Sequence, residues 1–308
     1  MMSPNRWKPT SLALAGLVAL AACSNVGGPS APPRDAANEA CPAAVAYTDI
    51  GTPATSLQQL KAMASARLGV LGLEAVWESP EGEPFEDTPV DRERLRALLR
   101  VVLPAFERYP AALLAHVQLR KLAFVKNLCV AGNFRMAMPA VERDTVVYAN
   151  NGRLDRCEPG IEARVHHELY HLIEARLFGD YYYRDPKWLA LNPPGVQYGD
   201  GGRSAYGPPG PNGTCVAAPA ASGPAYVNRP HPRPGFISTY SLTGPEEDKA
   251  EVFSWMMTPG YASRLKDWAA TDPSLAAKRA FMVRLATGIS DGQLDAAVLD
   301  WLATQKRP

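Results

Sequence analysis

The stretch Pro159 to Phe178, PGIEARVHHELYHLIEARLF, decides how the rest of the sequence is interpreted. We predict a single helix over this stretch. Residues four apart in a helix lie about 40° apart around the axis and one turn along it. The imidazoles of His167 and His171 therefore face one ion, whereas His166 points about 100° away from its neighbour. The pattern predicts a metal site on one face of the helix.

Glu168 follows the first histidine of this pair directly. It can reach over the open face of the ion, where a carboxylate takes a proton from water. The pattern His-Glu-x-x-His on a helix is typical of zincins, in which the two histidines bind zinc and the glutamate acts as general base. A helix that merely carries two surface histidines would show the same five letters.

Catalytic zinc takes three protein ligands and one water, so a third ligand is required. A helix predicted over Pro245 to Met257 carries two candidates, Glu247 and Glu251, which lie four residues apart on one side, so that one can ligate while the other supports it. His231, in a segment rich in proline, is an alternative that spacing leaves open. For Glu174, one turn past the second histidine, we expect a supporting role outside the ligand set or a surface position.

The first turn of the helix that carries Glu247 is acidic. Acids in a first turn interact favourably with the helix dipole and need no other purpose. That interpretation fits Glu246 and Asp248 better than Glu251, which lies beside Val252 and Phe253.

Taken together, the two motifs resemble a known family. His-Glu-x-x-His is followed by Tyr240, six residues and then Glu-Asp-x-Ala-Glu, as in the gluzincin branch that includes anthrax lethal factor, the Pro-Pro endopeptidases and a group of zinc-binding lipoprotein peptidases. The last group also shares the segment Trp188 to Gly195 and an aromatic residue followed by glycines, here Tyr198 to Gly202. The resemblance covers Arg153 to Met257, a third of the chain.

The resemblance implies a role for each matching residue. The metal ligands are His167, His171 and Glu247, Glu251 supports them, Glu168 is the general base and Tyr240 stabilises the oxyanion. A phenol suits that role because its hydrogen bond goes to charge that appears only in the transition state. A packed aromatic is the alternative for Tyr240. Lys249 departs from the family, whose members often carry an aromatic residue there.

The resemblance also implies an activity. We expect a zinc-dependent peptide-bond hydrolase with one Zn²⁺ ion, in which zinc and Glu168 activate water while zinc and Tyr240 stabilise the oxyanion. Two alternatives stay open: a non-catalytic zinc-containing surface lipoprotein used for binding, and a cell-wall peptide amidase. A binding module derived from a peptidase is expected to have lost the base or a ligand, and this chain has lost neither.

The N-terminus has the layout of a secretory signal. Arg6 and Lys8 precede a short apolar run, Ser11 to Ala22, which ends in Leu-Ala-Ala-Cys. We predict a lipoprotein signal peptide over 1–22, lipidation of Cys23 and a flexible tether over 23–40. The protein would then lie in the cell envelope, on the outer membrane or a membrane facing the periplasm. An ordinary signal peptide that happens to contain a cysteine is the alternative.

The composition of the chain bears on its possible partners and on the redox state of its compartment. The 32 basic and 31 acidic residues nearly cancel, so we expect no nucleic acid partner. The peptide or protein substrate that we expect is implied by the resemblance. Apart from Cys23, the chain has four cysteines, an even number that predicts two disulfides in an oxidising compartment. The four are Cys41, Cys129, Cys157 and Cys215. They can pair in three ways, and the sequence does not show which one occurs.

These elements predict an α+β, zincin-like metallopeptidase domain over 41–308. An α+β part to about 150 has helices over Ser56 to Leu71 and from Thr88 onward, and its runs Leu122 to Val125 and Thr145 to Tyr148 suggest a small antiparallel sheet. The zinc helix at 159–178 follows. The segment 193–235 holds 10 prolines and 9 glycines within 43 residues, which predicts an irregular loop that borders the cleft or is a surface insertion. Helices over 245–304 complete the domain, including Ser274 to Thr287 and Gly292 to Thr304.

Overall fold

The computed structural model describes residues 47–152, 158–180, 182–202, 214–217 and 229–305. The predicted signal peptide and tether lie outside these ranges, as do Cys41 and Cys157. All of the described residues belong to one compact unit, residues 37–308. Within them, no helix is both long and apolar enough to span a bilayer.

The α+β class is confirmed, and most predicted helices are present. Side-chain caps set their starts: Ser56 forms a capping box with Gln59, Thr88 accepts from the backbone of Asp91, and Asp295 starts the last helix four residues later than predicted. The helices are α1 (Leu57–Val70), α2 (Pro89–Phe106), α3 (Ala111–His116), α4 (Glu158–Phe178), α5 (Pro186–Leu189), α6 (Pro245–Met257), α7 (Tyr261–Ala269), α8 (Pro273–Ile289) and α9 (Ala296–Thr304).

The described residues form two four-stranded sheets, with seven strands between residues 74 and 149 and the eighth at residues 216–217. The first sheet has the order β1-β3-β7-β6 and the second β2-β4-β5-β8. The strands are β1 (Glu74–Val76), β2 (Gly82–Glu83), β3 (Lys121–Val125), β4 (Asn127–Val130), β5 (Asn133–Arg135), β6 (Ala137–Ala140), β7 (Thr145–Ala149) and β8 (Val216–Ala217).

The predicted antiparallel arrangement is wrong for the central strands. β3 and β7 pair in parallel, with Lys121 opposite Thr145, and only β6 runs antiparallel to β7. Between β3 and β7 the chain leaves for the second sheet through β4 and β5 and returns through β6. That excursion makes β7 run in the same direction as β3, and the composition of the two runs carries no information about it.

The first sheet is covered on both faces. Side chains alternate along its strands: Leu122, Phe124, Val146 and Tyr148 join the large core formed with the helices. Their neighbours Ala123, Val125, Val147 and Ala149 belong to a smaller core with Leu128 of the second sheet. This double burial explains why both strands read as continuous apolar runs.

Helix α4 lies against β6 and β7 on the helical face of the first sheet and also packs on α2 and α6. The hydroxyl of Tyr148 donates to the carbonyl oxygen of Val165 at 3.0 Å, which ties β7 to the helix backbone. The sheet therefore supports α4 from one side while α6 supports it from the other.

A disulfide joins Cys129 on β4 to Cys215 next to β8. This bond shows that Cys129 pairs with Cys215, which the sequence left open. Because β8 pairs in parallel with β5, the proline- and glycine-rich segment 193–235 is held to the second sheet at this point.

Candidate metal centre

The two histidines of α4 meet on one face of the helix, as their spacing requires. His167 and His171 are each 7% exposed. Their Nε2 atoms lie 3.1 Å apart and their ring centroids 4.8 Å apart. Both rings therefore direct a nitrogen toward the same point, beneath the first turn of α6.

Helix α6 supplies the third side chain. Pro245 occupies the first turn of α6, in the position where its fixed φ suits a helix start. Glu247, in that turn, places Oε2 3.0 Å from Nε2 of His167 and 3.3 Å from Nε2 of His171. Among the described residues, these three buried side chains form the one group of histidine, cysteine and acidic residues arranged to hold a metal ion.

The polar contacts of His167 test whether a cation fits this triangle. Glu251 Oε1 lies 3.3 Å from Nδ1 of His167, so the Nδ1 hydrogen points to that carboxylate. In a neutral ring the lone pair on Nε2 then faces Glu247 Oε2. Two acceptors 3.0 Å apart repel unless a positive charge lies between them. The donor set therefore suits a cation, either a metal ion or a second proton on the ring.

The same contacts control protonation when no metal is bound. Burial alone would lower the pKa of His167, but the hydrogen bonds to Glu247 and Glu251 and the carboxylate charges outweigh it and raise the pKa to about 10. Burial would raise the pKa of Glu247, but the charge and hydrogen bonds of the two histidines hold it well below its ordinary value. A metal ion that binds here must therefore displace a proton.

Glu251 is itself held in place by Ser238. The hydroxyl of Ser238 donates to Glu251 Oε2 at 2.7 Å, and Ser241 contacts that hydroxyl at 3.1 Å. The result is a chain of contacts from a loop serine through a carboxylate to the imidazole of His167. Such outer contacts fix the orientation and tautomer of a metal-binding histidine. Ser238 was missed at the sequence level because no motif spacing singles it out.

Two further predicted residues lie at the edge of the triangle. Glu168 is partly exposed, and its negative charge contributes to the raised pKa of His167. Tyr240 begins a short 3-10 turn, with its ring centroid 5.9 Å from that of His167. Its hydroxyl and the Glu247 carboxylate both lie against Gly202. The predicted base and the predicted phenol thus both neighbour the three ligand side chains.

His231, the alternative third ligand, lies elsewhere. Its Nε2 is 3.0 Å from Asp272 Oδ2 and its ring stacks on Trp268 at 4.9 Å. Asp272 also caps α8 by accepting from the backbone of Leu275. His231 therefore belongs to a contact that joins the loop to α7 and α8.

His166 points away from the triangle, as its position on the helix requires. It is fully buried, with Nδ1 2.7 Å from the hydroxyl of Tyr109. Burial and the nearby charge of Arg108 hold the pKa of His166 well below its usual range. The ring is thus a neutral part of the interior.

The surface alternative that the sequence left open for Glu174 is wrong. The side chain is 1% exposed and forms a buried ion pair with Lys249 of α6. Lys249 Nζ also donates to the carbonyl oxygen of Tyr183 at 2.5 Å. The lysine that departs from the family pattern therefore has a partner on the opposite helix, which explains how a charge can be buried there.

The interpretation of Asp248 as an acid that serves only the helix dipole is also wrong. A first-turn acid that only favours the helix dipole should be exposed, but Asp248 is fully buried. It accepts hydrogen bonds from Trp188, Tyr198 and Lys278. A lysine thirty positions away leaves no local sequence signal, so this partner could not have been found from spacing.

Comparison with protein-family models, with curated proteins and with solved structures finds no match to this chain. The function must therefore be argued from the residues and their geometry.

Proposed function

We propose that this protein is a zinc-dependent peptidase of the zincin type, held at the cell envelope by lipid on Cys23. One observation carries the proposal. Ligand atoms of His167, His171 and Glu247 meet within 3.0 to 3.3 Å of one another, with Glu168 and Tyr240 as their neighbours.

The donor set favours zinc in a catalytic rather than a structural setting. Two imidazoles and one carboxylate are the ligands of several catalytic zinc sites, in which the fourth position holds water. Structural zinc sites are usually closed by four protein ligands and are rich in cysteine. The group in the described part of the chain has three members and no cysteine.

When bound, zinc would supply Lewis acidity, lowering the pKa of a water ligand and polarising a carbonyl group. In this proposal Glu168 accepts the proton of the attacking water and delivers it to the leaving nitrogen of the peptide. Tyr240 donates a hydrogen bond to the oxygen that becomes negative during attack. Glu251 keeps the His167 ring in the tautomer that presents Nε2 to the ion.

The envelope location rests on Leu20 to Cys23 and the charged, apolar leader before it. We expect wild-type protein to fractionate with membranes and a Cys23→Ala variant to leave them. A wild-type protein that is found only in the soluble fraction would contradict the anchor without bearing on the metal centre.

The decisive test combines metal analysis with a cleavage screen. We expect stoichiometric zinc in the wild type and in Glu168→Gln, but none in Glu247→Ala. On quenched peptide libraries, Glu168→Gln should lower kcat/KM by about 10²- to 10⁴-fold, the range for a lost general base.

The outcomes separate the alternatives. Zinc without cleavage of any peptide would refute the peptidase and favour a binding lipoprotein. Cleavage confined to cell-wall peptides would make the protein an amidase with the same metal chemistry. Equal turnover by wild type and Glu168→Gln would remove Glu168 from the mechanism.

A further inference from the structure

A glycine-rich segment runs beside the metal centre. We call residues 198–202 (Tyr-Gly-Asp-Gly-Gly) the glycine segment. Its backbone pairs with the chain just before α6: Gly199 N–H donates to the carbonyl oxygen of Leu242 at 2.9 Å, and Gly201 N–H to that of Thr243 at 2.6 Å. These two bonds bring the segment to the start of the helix that carries Glu247.

Gly202 lies directly against two site residues. A methyl group added there would lie 1.9 Å from Glu247 Oε1 and 2.6 Å from the hydroxyl of Tyr240, whereas real methyl groups stay beyond 3.0 Å. The φ angle of Gly202 is not in the left-handed region, so its backbone conformation does not require glycine. The close approach to the carboxylate is what excludes a side chain.

The glycine segment is anchored through its first residue. The hydroxyl of Tyr198 donates to Asp248 Oδ2 at 2.7 Å. The same oxygen accepts from Trp188 Nε1 at 2.9 Å and from Lys278 Nζ at 2.6 Å. Because Asp248 follows Glu247 in the chain, the anchor and the metal-facing carboxylate are adjacent on α6.

Lys278 extends the same network to the loop that carries Tyr240. Its ammonium group donates to the carbonyl oxygen of Gly235 at 2.7 Å and lies 3.8 Å from the ring centroid of Phe236. Both residues precede Ser238 and Tyr240 by a few positions. One buried network therefore holds the glycine segment, the start of α6 and the loop that bears the phenol.

The two oxygens of Glu247 consequently face different surroundings. Oε2 is the atom near both histidines, whereas Oε1 is the atom against Gly202. A carboxylate that turned both oxygens to an ion would use a coordination position that a catalytic site leaves open for water.

We propose that the glycine segment is a positioning element of the metal centre, in which Gly202 holds Glu247 in single-oxygen ligation and fixes the Tyr240 hydroxyl beside it. Asp248 anchors the segment through Tyr198. This inference rests on the proposed metal site, but it does not require that the substrate be a peptide.

The test is Gly202→Ala, with Gly288→Ala as the matched control, because a methyl group at Gly288 would meet nothing within 4 Å. Zn²⁺ affinity is measured by chelator competition on the full chain. The visible spectrum of the Co²⁺ form reports coordination number and geometry. We expect Gly202→Ala to weaken metal binding by about 10- to 100-fold and to change the Co²⁺ spectrum, while Gly288→Ala matches wild type in both.

Wild-type affinity and an unchanged Co²⁺ spectrum in a folded Gly202→Ala protein would overturn the proposal. If that variant does not fold, Tyr198→Phe, which keeps the ring and removes only the anchoring hydroxyl, serves in its place. We expect it to bind Zn²⁺ several-fold more weakly with an altered Co²⁺ spectrum, and wild-type values would again overturn the proposal. If wild type cleaves no peptide yet these metal measurements behave as expected, the peptidase proposal fails and this one stands.

Discussion

The buried ion pair between α4 and α6 gives the sharpest prediction about stability. Glu174 and Lys249 are each 1% exposed and join the two helices that carry the candidate metal ligands. Removing one member of such a pair leaves an uncompensated buried charge, which costs about 3 to 5 kcal/mol. Lys249→Met keeps most of the apolar stem but loses the ammonium group and its bond to the Tyr183 carbonyl. We therefore expect the free energy of unfolding of Lys249→Met to be about 3 to 5 kcal/mol lower than that of wild type.

The double variant separates the charge from the packing. In Lys249→Met with Glu174→Met no charge remains buried, and replacing a buried pair by apolar side chains of similar volume is often neutral or stabilising. We expect the double variant to recover most of the loss. For a domain of this size, 3 to 5 kcal/mol corresponds to a fall in Tm on the order of 10 °C.

The loss should also depend on pH. Burial raises the pKa of Glu174, and the Lys249 ammonium opposes that rise. In Lys249→Met only the raising effect remains, whereas in the unfolded chain the carboxyl titrates near its ordinary value of about 4.3. A group whose folded pKa exceeds its unfolded pKa stabilises the fold below the unfolded pKa, and this contribution is lost as pH rises toward the folded pKa. In wild type the pKa of Glu174 is already raised to about 8, so the additional deficit of Lys249→Met should grow above that pH and be larger at pH 9 than at pH 6.

Urea unfolding of wild type, both single variants and the double variant at these two pH values measures the effect. Excess chelator keeps metal linkage out of the comparison. A loss below about 1 kcal/mol in Lys249→Met, or a double variant no more stable than the single ones, would refute the reasoning.

Three further predictions address the site and its surroundings. Glu251→Gln should weaken Zn²⁺ binding by about 10- to 100-fold, because His167 loses its orienting acceptor; isothermal competition with a chelator measures this, and wild-type affinity would contradict it. Tyr240→Phe should keep zinc and lower kcat by about 10²- to 10³-fold with little change in KM, whereas unchanged kcat would reduce Tyr240 to a packed aromatic. Replacing Cys129 and Cys215 by serine opens a loop of 86 residues and should lower stability by about 4 kcal/mol, with an unchanged melting temperature as the contrary result.

The features that the sequence predicts correctly depend on residues that are close together in the chain. Helices α1 and α2 begin where Ser56 and Thr88 provide caps, because a capping side chain acts within three residues. The meeting of His167 with His171 follows from helix geometry alone. Glu247 entered the prediction through its motif, since nothing in helix geometry links two positions eighty residues apart.

What could not be predicted depends on contacts between distant segments. The direction of β7 follows from an excursion through another sheet. The partner of Lys249 lies on α4, and that of Asp248 lies on α8. The lack of a side chain at Gly202 is explained only when Glu247 lies against it. In each case the physical cause is burial beside a group far away in the chain.

The different surroundings of His166 and His167 bear on how α4 is seated. An α-helix with two adjacent histidines could offer either ring to an ion after a turn of about 100° about its long axis. Tyr109 accommodates the first ring in the protein interior, so the second ring is the one left for Glu247. Packing of His166 in the interior therefore fixes the rotation of α4 about its axis. That rotation directs His167 toward Glu247, although His166 itself is not part of the candidate metal site.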